Sequence, residues 1–148
     1  MIQRIQTIFL LLTGVLMAAT FICPLLDIKA TGIDVTSSFN SFGVVNFPTW
    51  GVFTFAVISS ILALINIFLY KKRKLQANMA LLTALLIVMY YITSMVYINA
   101  FVGKIDSEYT LNVQLGIILP VIALIFDLLA YFRIKKDEKL VKSLDRIR

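Results

Sequence analysis

The sequence predicts an all-α membrane protein: a four-helix transmembrane bundle with a small extracytoplasmic β-hairpin or three-stranded cap and a cytoplasmic C-terminal amphipathic helix. Three observations predict it. Of 148 residues, 60% are hydrophobic and the mean hydropathy is +0.92, against roughly 45–50% apolar content in soluble domains. The apolar residues fall in four blocks, each long enough to cross the ~30 Å hydrocarbon core of a bilayer. Twelve of the 14 Lys and Arg residues flank these blocks on one side. Residues 1–148 therefore read as a single four-helix transmembrane domain.

The first block, residues 5–26, carries no charge and at about 1.5 Å per residue crosses the core. Arg4 and the Ala18-Ala19 pair imitate a signal peptide, but no small-x-small cleavage site follows and the apolar run continues, so the segment is read as retained. Pro24 is expected to disturb the outer end of this helix. The outer loop 27–49 is rich in β-branched, aromatic and turn residues with partial alternation, which suggests a hairpin. Helix 50–70 stops at Lys71-Lys72-Arg73-Lys74, and helix 75–101 begins at once. So short a connection makes the two antiparallel neighbours. In the second outer loop, 102–114, the segment from Glu108 to Gln114 alternates cleanly and can add a third strand to a hairpin that would be marginal alone. Helix 115–132 contains Pro120, which predicts a kink, and ends at Arg133. In the tail 133–148, Leu140, Val141, Leu144 and Ile147 share one helical face, with Lys136, Lys139, Lys142, Asp145 and Arg146 on the rest. That amphipathic helix is expected to lie on the bilayer or dock on a protein.

Orientation follows from the cations, because Lys and Arg resist translocation. Arg4, the 71–74 cluster and seven residues of the tail lie on one side; only Lys29 and Lys104 lie on the other. Both termini are therefore expected in the cytoplasm, facing anionic lipid. The same segregation accounts for the pI of 9.6 and removes it as a sign of nucleic-acid binding.

With no histidine and one cysteine, Cys23, the chain lacks the usual zinc ligands and cannot form an internal disulfide. Cys23 reads as apolar filler; Thr20-Phe21-Ile22 before it are too bulky for a lipid-attachment signal. No metal, cofactor or catalytic group is expected. Asp127 is the only acid within the four blocks, about 9 Å along its helix from Arg133. A charge there should face the bundle and be paired or protonated. Its neighbours at three and four residues, Ala123, Leu124, Ala130 and Tyr131, are not basic, so a partner must come from another helix. Arg4, Gln6 and Asn66 fall at similar depth, and an intramembrane polar cluster of Asp127, Arg4, Asn66 and Gln6 is expected. Such a cluster is either a clamp between helices or part of a proton or substrate route; the clamp is the better fit, since polar residues thin out towards the outer side. Gly14 with Ala18, and Ala80 with Ala84, permit close helix contacts. Tyr90 and Tyr91 sit deep enough for interhelical hydrogen bonds.

The opening string Met1-Ile2-Gln3-Arg4-Ile5-Gln6-Thr7, the junction Tyr70-Lys71-Lys72-Arg73-Lys74-Leu75-Gln76 and the closing stretch from Lys135 to Arg148 resemble a family of small four-helix inner-membrane proteins of Bacteroidota, known as domain of unknown function 4293. The resemblance spans essentially the whole chain. It implies a multi-pass protein of the bacterial inner membrane and brings no activity, cofactor or site residue. Three functions are open: a non-enzymatic subunit or scaffold of a membrane complex, with a membrane-protein partner or a second copy; a small transporter or channel using Asp127; and lipid binding or sensing. An enzyme is not expected, because neither a metal-ligand set nor a nucleophile with a base is present.

The cation asymmetry predicts that a reporter fused after Arg148 is cytoplasmic and that cysteines placed at Ser37 or Ser107 react with impermeant reagents from outside. Labelling from the inside only would reverse the orientation.

Overall fold

The computed structural model describes residues 2–30, 36–39, 43–44, 47–103 and 109–145. Four helices carry these residues: α1 (Ile2–Ala19), α2 (Trp50–Phe68), α3 (Arg73–Val102) and α4 (Leu115–Asp145). The strands are β1 (Leu26–Ala30), β2 (Thr36–Phe39), β3 (Gly43–Val44), β4 (Phe47–Pro48) and β5 (Tyr109–Val113). Helix α1 packs against α2 and α4, and α3 packs against the same two. One end of this array carries the strands; the other carries the lysine-rich turns and is called the basic end below.

Helices α2, α3 and the stretch Leu115–Val141 of α4 are long and apolar enough to cross a membrane, while α1 supplies a shorter apolar stretch, Ile5–Ala19. Their inner faces are small: Ala56, Ala63, Ala80, Ala123 and Ala130 are fully buried. Large apolar side chains, among them Ile61, Leu81, Leu85, Ile125 and Leu129, point outwards. Gly14 lies against α2, where Ser60 Oγ donates to its carbonyl at 3.1 Å and an added Cβ would stand 3.0 Å from the Leu64 side chain. The small residues at Gly14, Ala80 and Ala84 are thus used within the chain.

Helix α1 ends at Ala19, short of the expected residue 26. Turn hydrogen bonds follow, from Phe21 N to Ala18 O at 3.1 Å and from Ile22 N to Ala19 O at 3.1 Å. Pro24 explains the early stop, since it lacks an amide donor and disfavours helical geometry in the residue before it. The freed backbone is taken by the start of α4: Gly116 N donates to Pro24 O at 3.0 Å and Gln114 N to Leu25 O at 3.1 Å. Only glycine permits this approach, because a Cβ at Gly116 would lie 2.4 Å from the Pro24 carbonyl oxygen.

The strands form a three-stranded antiparallel sheet in the order β2-β1-β5, with Leu26 opposite both Phe39 and Val113, and a two-stranded pair of β3 and β4. The alternating segment before α4 therefore joins the first outer loop as its third strand. Beside the sheet, Gln114 Nε2 donates to the Asp27 carboxylate at 2.7 Å.

Helix α2 leads through a single 3₁₀ turn (Leu69–Lys71) into α3. Helix α4 runs through Pro120, and the Tyr91 hydroxyl donates to the Ile117 carbonyl in the turn that the proline loosens. It also continues past Arg133 to Asp145, so the expected tail helix is its direct extension. No Gly or Pro interrupts residues 133–145, and Ile134 is fully buried, so packing carries the helix onward.

Replacing Gly116 by Ala should destabilise the fold by about 1–3 kcal/mol, the range for overpacking against a neighbour that cannot yield. Gly14→Ala meets a flexible leucine and should cost less. Thermal unfolding in detergent checks the ranking; equal shifts would contradict it.

Candidate functional site

The buried stripe of α4 is Gly116, Pro120, Ala123, Asp127, Ala130, Ile134 and Asp137, spaced alternately by four and three residues. This repeat holds one helical face against the other helices, and it turns Asp127 inwards. Asp127 is 0% exposed, between Ala123 and Ala130 on its own helix. Opposite, the stripe of α2 includes Ser59, Ser60, Ala63 and Asn66, and Asn66 is also 0% exposed.

The depth of the two polar residues can be read from contacts to α1. Thr13 Oγ1 lies 3.3 Å from the Ala123 carbonyl oxygen, and Ser60 bonds to Gly14. Asp127 is four residues beyond Ala123 towards the basic end and Asn66 six residues beyond Ser60, about 6 Å and 9 Å along their helices. They thus lie within about one turn of each other in depth. Neither carboxylate oxygen of Asp127 nor either side-chain amide atom of Asn66 has a hydrogen-bond partner among the described residues. The Asn66 backbone carbonyl, by contrast, accepts from Gln76 Nε2 at 3.3 Å.

Most other buried hydroxyls are satisfied locally. Thr13 donates to Phe9 O at 3.0 Å, Ser59 to Phe55 O at 2.8 Å, Thr83 to Met79 O at 2.9 Å and Ser94 to Tyr90 O at 2.7 Å. Each bonds one turn back along its own helix. Among the described residues the open groups of Asp127 and Asn66 are a carboxyl and a carboxamide at similar depth, each able to take up a water molecule, and the carboxyl a proton or a small cation. At the strand end one Asp27 carboxylate oxygen is also without a partner among the described residues.

Of the four residues expected to cluster, the structure turns Asp127 and Asn66 into the same interior. Gln6 is engaged elsewhere: its side-chain amide donates to the Asp137 carboxylate, both groups being buried. The Arg4 side chain lies outside the described residues. Asp137 also offers its carbonyl to Arg73 Nη1 at 3.5 Å, so this second polar site joins α1, α3 and α4 at the basic end. The sequence reading missed it by assigning Asp137 to the cytoplasmic tail 133–148 rather than to the packed part of the helix. The signal was present, since continuing the four-three spacing from Asp127 through Ala130 and Ile134 arrives at Asp137. Among the described residues no group of three or more Cys, Asp or Glu could hold a metal ion.

A family model described as a domain of unknown function, DUF4293, matches residues 2–147. No curated protein and no solved structure matches the chain.

The Gln6 to Asp137 bond predicts that Gln6→Ala and Asp137→Ala each lower stability by about 1.5–3 kcal/mol, the range for hydrogen bonds to charged groups. The double variant should lose less than the sum. Unfolding in detergent measures all three, and strict additivity would show that the two side chains do not interact.

Proposed function

The chain belongs to the DUF4293 family, whose function is not known, and on that premise we propose that it is a non-enzymatic integral protein of the bacterial inner membrane, serving as a subunit or scaffold of a membrane complex. Apolar outer faces on all four helices, small residues at their contacts and the segregated cations support the membrane placement, with the basic end in the cytoplasm.

The observation that carries the scaffold reading is the length of α4. Its 31 residues extend about 46 Å, well beyond the ~30 Å hydrocarbon core. Among the described residues the last buried one is Asp137, and beyond it Leu140 and Val141 are 49% and 39% exposed beside Lys139. Of the expected docking face these two are described; the Leu144 side chain and Ile147 lie outside the described residues. A rigid helix projecting from a membrane domain with apolar side chains at its tip is suited to holding a protein partner or a second copy. At the opposite end, β5 is an edge strand with Leu111 and Val113 exposed, which offers a further contact surface.

The open Asp127 and Asn66 groups favour a second reading, a small transporter or channel for protons or cations. A photo-crosslinking residue at Leu140, activated in native membranes, separates the two. The scaffold reading expects one discrete protein adduct, absent when the probe sits at Ile122 on the lipid-facing side of the same helix. If Leu140 yields no protein adduct while the purified chain conducts protons or cations in liposomes and Asp127→Asn abolishes that flux, the transporter reading replaces it.

A further inference from the structure

Where α3 begins and α4 leaves the array, a groove of about 660 Å³ opens between them, lined by Lys74, Asn78, Lys135, Lys136, Glu138 and Lys139. An adjoining cavity of about 470 Å³ shares Lys74 and Asn78 and adds Lys72 and Arg73. Arg73 already donates to the Asp137 carbonyl, whereas Lys72, Lys74, Lys135, Lys136 and Lys139 are all exposed. Lys135, one of the lining residues, has its Nζ 5.1 Å from the Tyr131 ring centroid. Four lysines thus line the groove with one carboxylate, Glu138, among them, and Lys72 lines the adjoining cavity. Orientation in a membrane requires cations near the helix ends but does not require four of them to line one groove. Their combined positive potential favours an anion in the groove.

The surroundings indicate what kind of anion. On α3, Leu81, Leu82 and Leu85 continue the face of Lys74 and Asn78 at spacings of three and four, and all are exposed. On α4, Phe132, Leu129 and Ile125 continue the face of Lys135 and Lys139 in the same way. Two apolar tracks of about 10–15 Å therefore lead from the basic groove along the outside of the helices. A soluble anion would use the groove alone; a lipid would use both.

We propose that the groove between α3 and α4 binds the phosphate headgroup of an anionic glycerophospholipid of the cytoplasmic leaflet, with its acyl chains along Leu81, Leu85, Leu129 and Ile125. This rests on the membrane placement given above and adds to it a discrete lipid site.

Native mass spectrometry of the delipidated full chain in detergent tests it, with dioleoyl-phosphatidylglycerol and dioleoyl-phosphatidylcholine, which differ only in the headgroup. Each cation near an anionic headgroup is worth about fivefold in affinity, so the phosphatidylglycerol adduct should be favoured by about tenfold or more. The combined variant Lys74→Gln, Lys135→Gln and Lys136→Gln should bring the two lipids close to parity, while the corresponding Lys→Arg variant and Arg133→Gln, outside the groove, keep the preference. Equal adducts in the unaltered chain, or a preference that survives the combined Gln variant, would overturn the site. Displacement of the lipid by millimolar inorganic phosphate would also overturn it, in favour of a soluble anion. Retention of the chain in membranes after alkaline carbonate washing tests the placement separately: release refutes the membrane reading, whereas retention without lipid preference refutes this site alone.

Discussion

Most hydroxyl groups in the interior bond back to carbonyls of their own helix, as Thr13 does to Phe9 and Thr83 to Met79, and the close packing of the four helices depends on that self-sufficiency. A Ser or Thr satisfied in this way presents a small, nearly apolar surface to the neighbouring helix. Together with alanine and Gly14 it lets backbones approach, while bulk is displaced to the outer faces. The distribution is the reverse of a soluble core, in which large aliphatic residues are the ones enclosed. In a hydrocarbon surrounding it is the favoured one, because helices gain little there by hiding leucine from lipid and much from close contact and internal hydrogen bonds.

Against that background the unsatisfied groups of Asp127 and Asn66 stand apart, and so does the use made of α4. The same buried stripe that encloses Asp127 is held at both ends. At one end the Gly116 amide docks on the Pro24 carbonyl; at the other Asp137 receives Gln6 and Arg73. The stripe residues between these anchors are buried against the other helices, whereas Lys139, Leu140 and Val141 beyond Asp137 are exposed. The helix therefore joins a rigid interior to a projecting basic arm, and the groove beside α3 lies where the two meet.

Much of this was legible in the sequence, because helix number, connection length and inward faces follow from hydrophobic blocks and their spacing. The third strand was legible too, since the segment ending at Gln114 alternates with period two. Two features were not. The first helix was read to residue 26 because an apolar run does not reveal where hydrogen bonding changes; Pro24 marked the place, but its carbonyl's capture by Gly116 is a long-range contact. The helix at the basic end was divided at Arg133 because composition changes there from apolar to charged. The four-three repeat crosses that boundary unbroken, and following it would have placed Asp137 inside and freed Gln6 from the Asp127 group. The inward direction of Asp127 and Asn66 was accessible from periodicity, whereas the choice of partners depended on relative helix shifts that no local pattern encodes.

Spin labels introduced one at a time at Ile122, Ile125, Leu129 and Leu140, all exposed positions along α4, measure most directly whether the apolar faces are in lipid and the basic arm is outside it. In bilayers, collision with oxygen should exceed collision with a water-soluble nickel chelate at Ile122, Ile125 and Leu129, and the order should reverse at Leu140. A chelate that reaches Ile125 and Leu129 as readily as Leu140 would contradict the membrane placement on which the proposed functions rest.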